Sequence, residues 1–321
     1  MSTNTIVVAG GGVFGTAISE RLAWNSDNRV IIHSVEEDVV ASINSEHKNR
    51  KYFPTRFLNR SLTATGDFSV FSEADEIFLV IPSKAIVPFS REIRKYTADR
   101  EPLVINLAKG MSDDGAFITE KIPFSRTASM KGPSCAIEVL NGFPTAFTFG
   151  GKEEDYELVR KKLFCNTGLT LDHADDIRAV ELTSILKNMY AIAIGLVSGR
   201  YNSPNVDFLI YTKAVNEMRG FLKLFECDEE VIFRYCGIGD LGLTGLNDLS
   251  RNRTFGMLIG KGFGHENGES ATVIEGYRTI KLFGEMTKKQ HLEKKFPLVQ
   301  ALYRLMYEGS SLNEYLMAVL E

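Results

Sequence analysis

The run Thr5-Ile-Val-Val-Ala-Gly-Gly-Gly-Val-Phe-Gly-Thr-Ala17 constrains the fold of this chain more than any other segment. A short β-rich apolar stretch leads into Gly10-x-Gly12-x-x-Gly15, and a helix-compatible stretch follows at once. In such a strand–turn–helix unit the first glycine permits a tight turn and the second lets the backbone approach a pyrophosphate. The third lets the helix pack close on the strand, so that the phosphates sit on the positive helix N-terminus. Gly10, Gly12, Val13, Phe14 and Gly15 are therefore candidate dinucleotide-binding residues. A second run, Gly237-Ile-Gly-Asp-Leu-Gly242, matches the same pattern. It follows the short, charged Phe233-Arg-Tyr-Cys, and Gly245 and Asn247 come soon after. No helix is expected to start cleanly there, and the run is rejected as a dinucleotide site.

The remainder of the first half alternates short apolar runs with helix-length segments. Ile6–Ala9, Val30–Ile32, Ile77–Ile81 and Leu103–Leu107 read as buried parallel strands, and Thr145–Phe149 adds another. This rhythm predicts an α/β fold with a doubly wound parallel sheet of the Rossmann type over residues 1–175. From about Asp175 the pattern becomes helical, through Ile177–Val197, Asp207–Phe225, Ala271–Met286, Pro297–Tyr307 and Leu312–Leu320. A mostly α-helical second domain over residues 176–321 is expected, and 321 residues suffice for two cores.

Composition narrows the partners. With 37 basic and 41 acidic residues the net charge is −4, and no basic stripe points to nucleic acid. Cys135, Cys165, Cys227 and Cys236 are scattered without a Cys-x-x-Cys pair, so neither a metal site nor a disulfide framework is indicated. The first strand starts at Thr5, which leaves no room for a secretory signal, and the longest apolar stretch, Met189 to Val197, is too short to span a bilayer. A soluble, cytoplasmic protein without a membrane span is expected.

The cofactor preference rests on the second strand. An acidic residue about 20 positions beyond the glycines usually holds the ribose hydroxyls, whereas arginine there accommodates a 2′-phosphate. Arg29-Val-Ile-Ile-His33 runs into Ser34-Val35-Glu36-Glu37, with two carboxylates and no basic residue after the strand. NAD is favoured, with NADP left open; alternatively the two glutamates serve the start of the next helix.

Lys187 is the most unusual residue of the second half, because it interrupts an otherwise apolar helix. Thr183, Lys187, Ala191 and Gly195 fall in one helical row, and the small residues are expected to leave space for a ligand. Desolvation there would lower the lysine's pKa and suit it to proton transfer; alternatively its stem packs while the ammonium snorkels to water. Gly237–Thr244 puts Asp240 and Thr244 in what reads as a flexible loop, and Ser250-Arg251-Asn252-Arg253 supplies donors for a phosphate clamp or for a solvated turn. In the first half, Lys109-Gly110 runs off a strand's carboxyl end, where ligands lie in such sheets. Gly132-Pro-Ser134-Cys-Ala136-Ile-Glu138 is a second candidate turn.

Taken in order, these segments resemble the NAD(P)-dependent glycerol-3-phosphate dehydrogenases over nearly the whole chain. The resemblance is carried by Gly10-x-Gly-x-x-Gly15-Thr-Ala, Ile81-Pro-Ser83, Lys109-Gly110, Gly132-Pro-Ser-x-Ala-x-Glu138 and Leu186-Lys187-Asn188. It continues through Gly239-Asp240-Leu, Ser250-Arg-Asn-Arg-x-Phe-Gly256 and Val273-Ile-Glu275-Gly-Tyr-Arg278. It implies interconversion of dihydroxyacetone phosphate and sn-glycerol 3-phosphate by a homodimer. Lys187 would be the proton donor and acceptor, oriented by Asp240 and assisted by Lys109. Ser250, Arg251 and Asn252 would hold the phosphate near Gly132, Ser134 and Thr244, while Lys109, Ala136, Arg251 and Glu275 would touch the dinucleotide.

Two stretches depart from the family pattern. Ser198-Gly-Arg-Tyr-Asn-Ser-Pro-Asn205 replaces an Asp-Gly-Leu followed by Gly-x-Asn, and Gly245 stands where a cysteine or serine is usual. They admit a paralogue that reduces another small phosphorylated ketone. The β-hydroxyacid dehydrogenases fit less well, since their asparagine lies one helical turn beyond the lysine, where this chain has Ala191. A dinucleotide sensor without catalysis would be expected to lack the lysine.

Overall fold

The computed structural model describes residues 3–97, 100–112, 115–263 and 274–321. The chain divides into two compact units, Met1–Val180 and Glu181–Glu321, and the division falls within the helix Ile177–Tyr201.

The first unit is built on one sheet. Its strands are β1 (Asn4–Ala9), β2 (Asn28–His33), β3 (Thr63–Thr65), β4 (Glu76–Leu79), β5 (Leu103–Asn106), β6 (Thr127–Lys131), β7 (Thr145–Gly150) and β8 (Leu169–Ala174). The order is β3-β2-β1-β4-β5-β6-β7-β8, whose first six positions are those of a doubly wound dinucleotide fold. Every pairing is parallel except β6 with β7. Three strands escape the apolar pattern. β3 is only three residues long, β6 reads Thr-Ala-Ser-Met-Lys, and β8 alternates at the sheet edge.

Side chains alternate across β1 and feed a core on each face. Ile6 and Val8 pack with α1 (Val13–Leu22), α2 (Glu37–Glu46) and α4 (Ala136–Leu140) through Ile18, Val39, Ile43 and Val139. Val7 and Ala9 pack with α3 (Ser83–Thr97) and the 3-10 turn Phe68–Glu73 through Ile86, Ile93 and Phe71. The crossover helices thus cover both faces, as parallel sheets require.

After α5 (Glu153–Leu158) in the first unit, the second unit is helical over most of its described residues: α6 (Ile177–Tyr201), α7 (Pro204–Leu224), α8 (Asp240–Leu246), α9 (Arg251–Gly260), α10 (Glu275–Lys289), α11 (Pro297–Tyr307) and α12 (Leu312–Leu320). The expected helix from Ala271 is described only from Glu275; residues 271–273 lie outside the described residues. By length and composition α6 is apolar enough to cross a bilayer, yet its most apolar stretch is buried inside the protein. Counting uninterrupted apolar residues underestimates this helix, because Lys187 and Asn188 break the run without breaking the helix.

The second glycine pattern also differs from expectation. A turn of π-helix over Tyr235–Gly239 passes directly into α8, so Asp240 and Thr244 stand one helical turn apart and not in a flexible loop. A Cβ on Gly237 would lie 2.1 Å from the carbonyl oxygen of Ile232, five residues back, so the turn requires glycine at that position.

One buried group gives the first unit a pH signature. Glu76 on β4 is 3% exposed, and its Oε2 finds no hydrogen-bond partner among the described residues. Burial, reinforced by Asp75, pushes its carboxyl up from 4.5 to about 7 against the opposing pull of Arg126 and Lys162. The folded state therefore favours the protonated form. The associated stability is fully present below about pH 4.5 and is lost as pH rises to about 7, a change of about 3 kcal/mol. Glu76→Gln is expected to raise Tm at pH 8 by several degrees and to change it little at pH 4, as read by scanning calorimetry.

Candidate active site

In the first unit the glycine turn is shaped by close approach. Gly10 adopts φ +123°, and a Cβ there would lie 2.5 Å from the Val80 carbonyl oxygen. Gly15 sits under the turn, where a Cβ would come within 1.9 Å of the Gly10 oxygen. Gly12 is different, since a Cβ there would meet nothing within 4 Å. It is the N-cap of α1, it has no side chain to cap the helix, and the first turn carries no acidic residue. The N-terminus of α1 is thus left without a capping side chain and with the helix dipole behind it, which fits a dinucleotide pyrophosphate. Val13, the first residue of α1, is exposed, whereas Phe14 is partly buried against the core and meets Phe147 edge-on.

The turn is tied to two neighbouring segments. Asn49 is fully buried and donates to the Gly11 carbonyl at 2.8 Å and to Thr16 Oγ1 at 2.8 Å. Ser34 packs so tightly on Gly11 that a Cβ there would lie 2.9 Å from its Oγ. Glu36 is the N-cap residue of α2, and Glu37 and Asp38 occupy that helix's first turn. The Glu36 carboxylate accepts from Tyr52 Oη at 3.0 Å and pairs with Lys51.

At the carboxyl end of the sheet, Lys109 is half-buried and its Nζ donates to the Gly132 carbonyl at 3.4 Å. Ser134 Oγ donates to the same oxygen at 3.1 Å, and Ala136 opens α4. Gly110 lies against Ser83, with a Cβ–Oγ distance that would be 2.7 Å. Lys109, Gly132 and Ser134 thus come together around one carbonyl.

In the second unit the geometry begins with glycines. A Cβ on Gly195 or Gly199 of α6 would lie 2.2 or 2.3 Å from the carbonyl oxygens of Arg253 and Met257, and one on Gly256 of α9 would lie 2.2 Å from that of Ile192. The two helices cross backbone to backbone. This overturns the expectation that the small residues beside Lys187 leave room for a ligand, because the backbone of α9 occupies the place beside Gly195.

The crossing leaves Lys187 facing α8. Its Nζ lies 2.5 Å from Asp240 Oδ1 and 2.7 Å from Thr244 Oγ1, with lysine and aspartate exposed by only 3% and 1%. The ammonium does not snorkel. A buried lysine and a buried carboxylate compensate each other, and either one alone would be a costly stranded charge.

The neighbouring residue on α6 organises the other side. Asn188 Nδ2 donates to Glu275 Oε2 at 3.0 Å and Asn188 Oδ1 accepts from Asn252 at 3.1 Å, while Asn252 Oδ1 accepts from the Gly276 amide at 3.1 Å. Glu275 opens α10, and Asn252 lies in the first turn of α9, behind the N-cap Ser250, whose Oγ accepts from the Arg253 amide at 3.3 Å. Arg251 is exposed at the first position of α9. The expected polar loop is thus a capped helix N-terminus.

Asn49, Asn188 and Arg253 are the structurally important polar residues that inspection of the sequence undervalues. Arg253 donates to the Gly245 carbonyl at 2.8 Å and to Ser198 Oγ at 2.9 Å, and Ser198 donates to Asp207 at 3.2 Å. A polar residue inside an apolar helix was the available signal for Asn188, the same that singles out Lys187. One residue in each departure from the family pattern therefore has a packing role. Ser198 belongs to the Arg253 network, and Gly245 admits Ile194, whose Cδ1 would lie 2.5 Å from a Cβ at that position.

Comparison with known proteins places this geometry. The family model described as NAD-dependent glycerol-3-phosphate dehydrogenase N-terminus matches residues 5–157, and that for the C-terminus matches residues 176–317. A glycerol-3-phosphate dehydrogenase [NAD(P)+] of Methanothermobacter thermautotrophicus is 30% identical over 97% of this chain and 96% of its own. One from Alcanivorax borkumensis is 32% identical over 95% and 90%. Among solved structures, glycerol-3-phosphate dehydrogenase from Coxiella burnetii superposes with a TM-score of 0.86 at 25% identity, covering 99% of each chain. The Saccharomyces cerevisiae enzyme has the same fold, with a TM-score of 0.88 at 21% identity over both full chains.

The Gly245–Ile194 contact can be tested by a double-mutant cycle. Gly245→Ser is expected to destabilise by about 1–3 kcal/mol through overpacking. Combined with Ile194→Ala it should cost less than the sum of the single changes, with a coupling of about 1 kcal/mol or more in urea unfolding. Strict additivity would show that the two side chains do not compete for one space.

Proposed function

This chain belongs to the NAD-dependent glycerol-3-phosphate dehydrogenase family, and on that premise we propose that it interconverts dihydroxyacetone phosphate and sn-glycerol 3-phosphate. The observation that carries the reading is the buried Lys187–Asp240–Thr244 cluster, which lies in the same unit as the first turn of α9. A bound dinucleotide supplies the hydride. The chain supplies the proton and the alignment. As a ketone is reduced, negative charge builds on its oxygen, and the Lys187 ammonium stabilises that charge and delivers its proton there. Asp240 orients the ammonium, and the Thr244 hydroxyl holds a second of its N–H bonds.

The substrate phosphate is assigned to Ser250, Arg251 and Asn252. The positive end of a helix dipole and a guanidinium fork suit a dianion, and binding energy gained at this remote group is used to align the reacting carbon. Gly132, Ser134 and Lys109 are retained as further substrate contacts, and Gly10, Gly12, Val13, Phe14, Gly15, Lys109, Ala136, Arg251 and Glu275 as dinucleotide contacts. Family membership favours dihydroxyacetone phosphate over the paralogue reading; Gly245 and Ser198 serve packing, and residues 199–205 are the departure that a panel of ketones tests. A homodimer is part of the same proposal.

Oxidation of NADH followed by absorbance, with dihydroxyacetone phosphate and a panel of other phosphorylated ketones, tests the assignment. Lys187→Met paired with Asp240→Asn avoids stranding a buried charge. This variant is expected to lose about 10²–10⁴-fold in kcat while binding NADH as the wild type does. Undiminished turnover would remove Lys187 from the reaction, and turnover of a different ketone alone would overturn the substrate.

A further inference from the structure

The segment that follows α2 brings a cation to the edge of the dinucleotide turn. Buried Asn49 hangs this segment on the turn through Gly11 and Thr16, and its Oδ1 accepts from the Tyr52 amide at 3.3 Å. Lys51 and Tyr52 are thereby delivered to Glu36, just beyond the carboxyl end of β2. Ser34 fixes the other side of this corner, its Oγ accepting from the Glu36 amide at 3.2 Å. In folds of this order the residue at that corner meets the 2′ position of the adenosine ribose. The absence of a basic residue directly after β2 in the sequence favours NAD, yet the fold supplies one from 15 residues further along.

We propose that Lys51 is a specificity-determining residue that makes this corner tolerant of a 2′-phosphate, pairing with Glu36 when the ribose carries a hydroxyl and turning to the phosphate when it carries one. The proposal rests on the reading that the first unit binds a dinucleotide. Without Lys51 a 2′-phosphate would meet the Glu36 carboxylate, with Glu37 and Asp38 in the same helix turn, an arrangement that like-charge repulsion disfavours. With it, the lysine has a long flexible stem and a side chain 45% exposed, so it can reorient, and its exposed pair with Glu36 is weak enough to exchange for a dianion. Glu36 keeps Tyr52 as a donor when the lysine leaves. The pinned backbone at Asn49 confines the exchange to side chains.

Binding of NADH and NADPH to the whole protein, titrated separately by nicotinamide fluorescence without substrate, tests this. Lys51→Met is expected to weaken NADPH about tenfold or more while NADH changes less than about threefold. Glu36→Gln should act in the opposite sense, weakening NADH and strengthening NADPH. Equal weakening of both dinucleotides by Lys51→Met, or no effect on either, overturns the proposal and leaves the dinucleotide site standing. Failure of the wild type to bind either one overturns the dinucleotide reading itself, and the proposal with it.

Discussion

Where α6 and α9 cross, backbone meets backbone, and the arrangement of the second unit follows from that contact. Gly195 and Gly199 on one helix and Gly256 and Gly260 on the other recur at a spacing of four, so each helix offers a strip with no side chains. Larger residues would hold the axes further apart. The close approach sets the first turn of α9 beside Asn188, and it lets the Arg253 guanidinium reach across to Ser198 on α6 and to the end of α8. Lys187 is then sealed against α8, where Asp240 and Thr244 meet it one helical turn apart. The chemistry of the cluster is electrostatic, but steric emptiness at four positions makes the cluster possible.

The first unit uses glycine for a different purpose. Gly10 and Gly15 are required by contact, one with Val80 and the other with Gly10 itself, whereas Gly12 is required by openness. The turn is also buttressed. Asn49 and Ser34 hold it from two sides, and both are followed by the side chains that define the ribose corner. Rigidity in the turn and adjustability in Lys51 divide the work of binding a dinucleotide between backbone and side chain.

Much of this was legible in the sequence, and the parts that were not share a cause. Val- and Ile-rich runs announced four strands because buried parallel strands are apolar on both faces, and Thr145–Phe149 announced a fifth. β3 and β8 were silent because short or edge strands need no such run, and the interior β6 because it buries polar residues, with Lys131 bonded to the Asn106 carbonyl. Lys187 stood out because its neighbours are apolar, and its partners Asp240 and Thr244 lay in a motif already noted. What could not be read was adjacency between segments. Nothing local tells that Lys51 reaches Glu36, that Gly245 makes way for Ile194, or that the small row beside Lys187 is filled by another helix. Periodicity reports which side of a helix is buried, but never what buries it.

The two Gly-x-Gly-x-x-Gly runs make the same point at the level of a motif. In the first, a strand delivers the chain to Gly10, which takes a positive φ, and the helix begins at Val13 without a capping side chain. In the second, a 3-10 turn precedes, Gly239 has φ −63°, and none of its three glycines adopts a positive φ. The helix is already under way when the pattern begins, so no set of free amides is presented. Gly237 instead allows the chain to pass close to Ile232, and the residue that follows the run's second glycine into the interior is a carboxylate. Identical spacing thus yields an anion cradle in one place and an anion in the other, and the conformation of the preceding residues decides which.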